Sequence, residues 1–334
     1  MSKVVCAPDD DRTPLKKPLY GTSVSQLCDE YLARKGTLEE RFVQLSDGRK
    51  ICYVVQGDPS GEPVYCFHGG MEGKWKFVMK EDIPGVCLYA FDRPHYGKSS
   101  PIPYEYDFRD AVEDVKQVAQ SFGHDQFICC GHSVGTSWSQ QLAAALPEMV
   151  RGCILFASMA DPLHPEATDK VRAAVNYPGG ILHPKTGCCG CVVRSALSHM
   201  VGKINMVAEY GLGLERNKGG EEGFAKFAAD AFWVSSMIDS WRSCQDPKSI
   251  LGDTLRTLSG KWHYETKDIR CPVFIFAGSG DQDCKVPGST DFLQKLIPHA
   301  KIEIIQKYGH ICLNGPNQET AERIRACVEQ MPRL

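Results

Sequence analysis

No apolar run in this chain of 334 residues approaches the roughly 20 that a membrane span requires. Its opening stretch, Met1-Ser2-Lys3-Val4-Val5-Cys6-Ala7-Pro8, lacks the apolar core of a secretory signal, so no such leader is expected. A formal net charge of -3, with both signs mixed along the chain, leaves no basic patch, and nucleic acid is not an expected partner. The 16 cysteines lack the paired C-x2-C spacing of a zinc site; the cluster Cys188-Cys189-Gly190-Cys191, with His183 near it, does not meet that template. Neither metal nor another cofactor is therefore expected. Cys66, Cys87, Cys129, Cys130 and Cys153 sit inside apolar runs, where a free thiol behaves as a small hydrophobe. A chain this long needs no disulfide staples, so reduced thiols and a cytoplasmic location are expected.

What is present points to a large α/β core. Gln126-Phe127-Ile128-Cys129-Cys130 is an apolar run of strand length that stops at Gly131. Gly131-His132-Ser133-Val134-Gly135 follows, and Trp138 to Ala145 reads as helix. A strand-to-helix turn this tight strains its central residue and lifts the Ser133 hydroxyl clear of both elements, while the flanking glycines let the elements meet. Further short apolar runs occur at 63–67, 86–91, 153–158 and 272–277, as befits strands buried on both faces of a parallel sheet, and Lys301-Ile302-Glu303-Ile304-Ile305 opens the last unit. Two strands joined across Ser46-Asp47-Gly48 form a hairpin. Phe108, Val112, Val115, Val118, Ala119 and Phe122 make one helical stripe, with Asp107 as N-cap and Gly123 as stop. Strand and helix in alternation predict a doubly wound α/β sheet.

The alternation lapses after residue 160 and resumes near 272. The division expected is an N-terminal extension over 1–40 and a first core part over 41–160. A helical cap over 161–265, rich in aromatics such as Phe224, Phe227, Phe232, Trp233 and Trp241, precedes a second core part over 266–334.

A serine hydroxyl needs a base to take its proton, and the base needs an acid to fix its tautomer. Such groups belong at the carboxyl ends of parallel strands. Among 10 histidines, His310 lies just past the last strand in Tyr308-Gly309-His310 and is the candidate base. His132 is expected to point away from the serine, and His68 to support its own loop. The acid lies in Gly278-Ser279-Gly280-Asp281-Gln282-Asp283-Cys284-Lys285-Val286-Pro287. Counting from the strand end favours Asp281, and counting back from Val286-Pro287 favours Asp283; Asp161 is a third candidate. For the developing oxyanion, the N–H groups of Val134 and Gly70 are the candidate donors.

Taken together, His68-Gly69-Gly70, Asp92-Arg93-Pro94-His95-Tyr96-Gly97-Lys98-Ser99, the serine turn, the Asp281 loop and Gly309-His310 resemble the α/β-hydrolase superfamily over residues 40 to 334. The resemblance implies an eight-stranded, mostly parallel sheet with helices on both faces and an inserted helical cap. It also implies Ser133, Asp281 and His310 as a triad, with Gly70 and Val134 as the oxyanion hole. Two departures stand out: the family usually has glycine where His95 stands, and the acid loop is longer than usual. Serine at the turn argues against epoxide hydrolases and haloalkane dehalogenases, which use aspartate there. The expected activity is hydrolysis of a small-molecule carboxylic ester. Thioesterase, peptidase, acyltransferase and carbon-carbon hydrolase uses of the same triad stand beside it. A small-molecule receptor that has lost turnover, or a lyase, is the alternative of a different kind.

Overall fold

The computed structural model describes residues 27–103, 105–173, 220–243, 257, 262–284, 286–310 and 313–332. Helix α1 (Asp29–Gly36) precedes the hairpin of β1 (Arg41–Gln44) and β2 (Lys50–Gly57), whose turn places Gly48 at φ 87, the left-handed region glycine favours. The remaining strands are β3 (Glu62–Phe67), β4 (Val86–Phe91), β5 (Phe127–His132), β6 (Val150–Phe156), β7 (Val273–Gly278) and β8 (Lys301–Ile305). They form one 8-stranded sheet in the order β1-β2-β4-β3-β5-β6-β7-β8. β2 runs antiparallel to both its neighbours, and every other pair is parallel.

Successive strand residues point to opposite faces, and β5 shows the consequence. Phe127 and Cys129 join the core on one face with Val115, Val118 and Trp138; Ile128 and Cys130 join the core on the other with Trp233 and Met237. Helix α2 (Phe108–Phe122) covers the first face. Its N-terminus is closed by a capping box between Asp107 and Asp110, and Gly123 ends it at φ 70.

Between β3 and β5 the chain reverses its direction across the sheet: β3 leads to β4 on one side, β5 to β6 on the other. Loops leaving the carboxyl ends of these two strands diverge there and leave a crevice. Helix α3 (Val134–Ala145) starts directly at β5's end, four residues earlier than the Trp138 expected, because the turn at Ser133 takes up no further chain.

Beyond β6 come α4 (Asp169–Ala173), α5 (Glu221–Ala229) and α6 (Ala231–Arg242), then α7 (Gly288–Leu296) and α8 (Gln318–Glu329) around the last strands. Much of the stretch expected as a cap, including His183, Cys188, Cys189 and Cys191, lies outside the described residues. Within the described part, Phe227, Phe232, Trp233, Met237 and Trp241 share one core cluster with sheet residues such as Ile128 and Phe276. Helix α6 is buried from Phe232 to Trp241. Helix α1 clasps it, with the Tyr31 hydroxyl donating to Asp239 Oδ2 at 2.6 Å and Lys35 Nζ at 3.0 Å from the same oxygen. No helix among the described residues is long and apolar enough to cross a membrane. The ten cysteines among them, from Cys28 to Cys327, are free thiols.

Candidate active site

The turn after β5 holds Ser133 at φ 51, ψ -122, a conformation that costs a non-glycine residue about 1–3 kcal/mol. The residues two positions to either side, Gly131 and Gly135, must be glycine. A Cβ on Gly131 would stand 2.6 Å from the Gly135 carbonyl oxygen, and one on Gly135 would collide with the carbonyl of Phe67. The serine is half-buried.

Three of the residues singled out in the sequence meet here. His310 Nε2 lies 2.7 Å from Ser133 Oγ, and His310 Nδ1 lies 2.9 Å from Asp281 Oδ2. Asp281 is fully buried, and its other oxygen accepts the N–H groups of Asp283 and Cys284 at 2.9 and 2.8 Å. Those bonds orient the carboxylate and hold its charge. Asp283 stands differently: its Oδ2 is 4.0 Å from His310 Nε2, the serine side of the ring, and the side chain is 26% exposed. Asp161 accepts from the Leu163 N–H in its own loop.

Burial alone would lower the His310 pKa, but the Asp281 carboxylate, with Cys284 and Asp283 beside it, raises it well above the usual 6.5. Burial works the other way on Asp281, yet the His310 ring keeps its carboxyl below the ordinary 3.8. The Cys284 thiol, 3.7 Å from His310 Nδ1, is pushed up to about 12 by burial and donates to the Ala157 carbonyl. A thiol held protonated in this way is a poor nucleophile.

Gly70 faces the start of α3, where a Cβ on it would stand 3.4 Å from Val134 Cγ2. The first N–H groups of a helix have no partner within it, and Val134 is the first residue of α3. The loop carrying Gly70 is held from behind. Buried Arg93 donates from Nε to the His68 carbonyl at 2.9 Å and from Nη2 to the Gly69 carbonyl at 2.8 Å. His68 donates from Nδ1 to Gly69 O and accepts the Arg93 N–H at Nε2, which makes it the neutral tautomer; burial draws its pKa down to about 3. His95 sits at φ 74, which explains why glycine is usual in its place.

Two groups of potential metal donors occur among the described residues, Asp281-Cys284-His310 and Glu40-Cys52-Asp92. In the first the His310–Asp281 hydrogen bond takes up the facing donor atoms. In the second a cation is already present: Lys74 Nζ lies 2.6 Å from Glu40 and 2.7 Å from Asp92.

Sequence reasoning passed over Glu72, Lys74 and Lys76, all buried around the Gly69-Gly70 loop. The signal available was charge inside an otherwise apolar 3₁₀ turn, Lys74-Trp75-Lys76-Phe77, next to a strand end.

Residues 62–180 match the family model described as alpha/beta hydrolase fold. The chain is 32% identical over 117 residues to the serine hydrolase-like protein of Mus musculus, a match covering 32% of this chain and 36% of that protein. It is 23% identical over 320 residues to the proline iminopeptidase of Neisseria gonorrhoeae, covering 88% of this chain and 96% of that one. An alpha/beta hydrolase fold protein from Nakamurella multipartita superposes with a TM-score of 0.61 at 18% identity, over 87% of this chain and 98% of the other. That superposition bears on the fold alone.

Proposed function

We propose that this chain, which belongs to the α/β-hydrolase superfamily, is a serine hydrolase that cleaves a small-molecule carboxylic ester or related acyl bond. The observation that carries the reading is the unbroken line Ser133 Oγ–His310 Nε2, His310 Nδ1–Asp281 Oδ2, at 2.7 and 2.9 Å. Ser133 attacks the acyl carbon while His310 takes the hydroxyl proton at Nε2. The N–H groups of Gly70 and Val134 receive the negative oxygen of the tetrahedral intermediate. His310 then passes the proton to the departing alkoxide, leaving an acyl-enzyme on Ser133. Water attacks that ester with His310 again as base, and Ser133 is restored. Asp281 stays ionised throughout and balances the imidazolium.

A receptor without turnover would have no need to keep all these groups aligned, which favours hydrolysis. The buried free thiols support a reducing compartment such as the cytoplasm.

Labelling with a fluorophosphonate, alongside turnover of short- and long-chain p-nitrophenyl esters, tests the reading. Wild type is expected to be labelled and to turn over at least one ester, and Ser133→Ala to do neither. A folded wild type that resists the probe overturns the nucleophile assignment.

The pH profile follows from the sign of the His310 shift. Only the neutral ring accepts the serine proton, and Asp281 raises the pKa above 6.5. kcat/KM is therefore expected to fall as pH drops through a value above 6.5 and to be nearly lost in mild acid. A flat profile from pH 5 to pH 8, an interval of about 3 units around the usual histidine range, would contradict His310 as base.

A further inference from the structure

The residue before the nucleophile, His132, turns away from the crevice into a buried contact that the chemistry above leaves unused. Its Nδ1 lies 3.0 Å from Glu72 Oε2, and its Nε2 lies 3.0 Å from the main-chain carbonyl oxygen of His310. Glu72 Oε2 also accepts the Gly69 N–H at 2.7 Å, while Oε1 faces Lys76 Nζ at 3.4 Å. Both His132 and Glu72 are buried, at 1% and 2% exposure, so water does not complete either contact from bulk.

A carboxylate oxygen and a carbonyl oxygen only accept. For both contacts to be hydrogen bonds the ring must donate twice, which only imidazolium does; a neutral ring sets a lone pair against an oxygen at 3.0 Å. Burial, with Lys76 and His310, draws the His132 pKa below the usual 6.5, although Glu72 favours the charge. Glu72 in turn is held far below the usual carboxylate range despite its burial, by His132 and Lys76. Against that pull, the geometry, two acceptors facing one buried ring, argues for the charged form.

The pair therefore joins three loops. Glu72 grips the Gly69-Gly70 loop, His132 is part of the nucleophile turn, and the His310 carbonyl belongs to the base loop. We propose that Glu72 and His132 are positioning residues, a buried carboxylate–imidazolium bridge that keeps the oxyanion donors and the base in register about Ser133. The proposal rests on the serine hydrolase reading for its kinetic consequence, but not for the protonation state.

The charged groups around the bridge are Glu72, Lys76 and His310, whose ring centroid is 5.4 Å from that of His132. His310 itself faces Asp281, Asp283 and Cys284. A cation this close to the base disfavours a second positive charge on it. Replacing His132 by a neutral side chain therefore raises the pKa of His310, and the acid limb of kcat/KM moves up, by about one pH unit.

The test has two arms. In the first, Ser133→Ala with nitrogen-15-labelled histidine is examined by NMR at neutral pH, and the His132 ring is expected to carry protons on both nitrogens. This arm needs no substrate, so it stands whether or not the hydrolase reading does. A ring with one proton overturns the bridge. In the second, His132→Gln and Glu72→Gln are compared with wild type, with active sites counted by fluorophosphonate so that misfolded protein drops out. Glu72→Gln keeps the shape and an acceptor for Gly69 but removes the charge that holds the second proton on His132. For each variant kcat per active site is expected to fall about tenfold or more, with KM within about twofold, as for groups that act on transition-state geometry. His132→Gln is also expected to shift the acid limb upward. If both variants keep wild-type kcat per titrated site, or the limb of His132→Gln stays in place, the positioning role is wrong. A wild type that the probe does not label would count against the hydrolase reading instead.

Discussion

Asp281→Asn is expected to lower kcat about ten-thousand-fold, whereas Asp283→Asn is expected to leave it within about threefold. The difference follows from which ring nitrogen each carboxylate meets. Asp281 accepts from Nδ1 at 2.9 Å, and its own orientation is set by two backbone N–H groups. An amide there would offer the ring either an N–H or a weaker acceptor, and the tautomer with Nε2 free for the serine would no longer be favoured. Asp283 stands 4.0 Å from Nε2, on the other side of the ring from Asp281, and is partly in water, so its loss removes only a screened charge from the base. The pH dependence separates the two further. Asp281 is the group that raises the His310 pKa, so the residual activity of Asp281→Asn should titrate at lower pH than wild type. Steady-state kinetics on both variants, with folding checked by circular dichroism, decides the matter. Comparable losses in the two would mean that the loop's far carboxylate shares the work and that the acid is misassigned.

Much of this architecture is legible in the amino-acid sequence itself. Short apolar runs that end at glycine or at a polar loop mark β3 to β7, because a strand buried on both faces cannot tolerate polar side chains on either. The turn at Ser133 is legible for the same kind of reason: only glycine at 131 and 135 lets β5, α3 and the end of β3 approach so closely. Which aspartate meets His310 is not decidable by counting. The loop folds back on itself, and Asp281 collects the N–H groups of residues that follow it.

Burial of charge is the least legible feature. Glu72, Lys74 and Lys76 look like a solvated loop in the sequence, since a one-dimensional pattern does not show that α6 lies over them. In the structure the Ser236 hydroxyl donates to the Trp75 carbonyl, and the Gly73 N–H donates to Ser240. Helix α6 is itself apolar around much of its circumference, a pattern that signals burial but not the partner. The partner is the sheet core on one side and α1 on the other. The role of residues 29–36 is likewise invisible in the sequence, because it depends on one buried carboxylate, Asp239, more than two hundred positions away.

The second large effect is expected at Lys74. Its ammonium is 1% exposed and sits between Asp92, which is fully buried, and Glu40. Its own N–H also donates to Asp92 Oδ1 at 3.0 Å, and the Lys98 N–H reaches the other oxygen at 3.1 Å. Lys74→Met keeps most of the side-chain volume but strands a buried carboxylate. Breaking such a pair costs about 3–5 kcal/mol, a large share of the roughly 5–15 kcal/mol that holds a domain together. The pH dependence has a definite sign. Despite their burial, Asp92 and Glu40 are both held below their ordinary values of 3.8 and 4.5 by Lys74. Their contribution to stability is therefore complete above pH 4.5 and is lost as pH falls through the depressed folded values. Without the ammonium those folded values rise, so Lys74→Met should unfold in acid at a higher pH than wild type as well as in less urea at neutrality. Asp92→Asn added to Lys74→Met removes the stranded charge and should recover part of the loss. Urea midpoints for the two single variants and the double variant measure the coupling directly. A Lys74→Met midpoint equal to wild type would show that the cluster contributes nothing net. The loop from Asp92 to Ser99, which Asp92 anchors beside the crevice through Lys74 and Lys98, would then owe its place to packing alone.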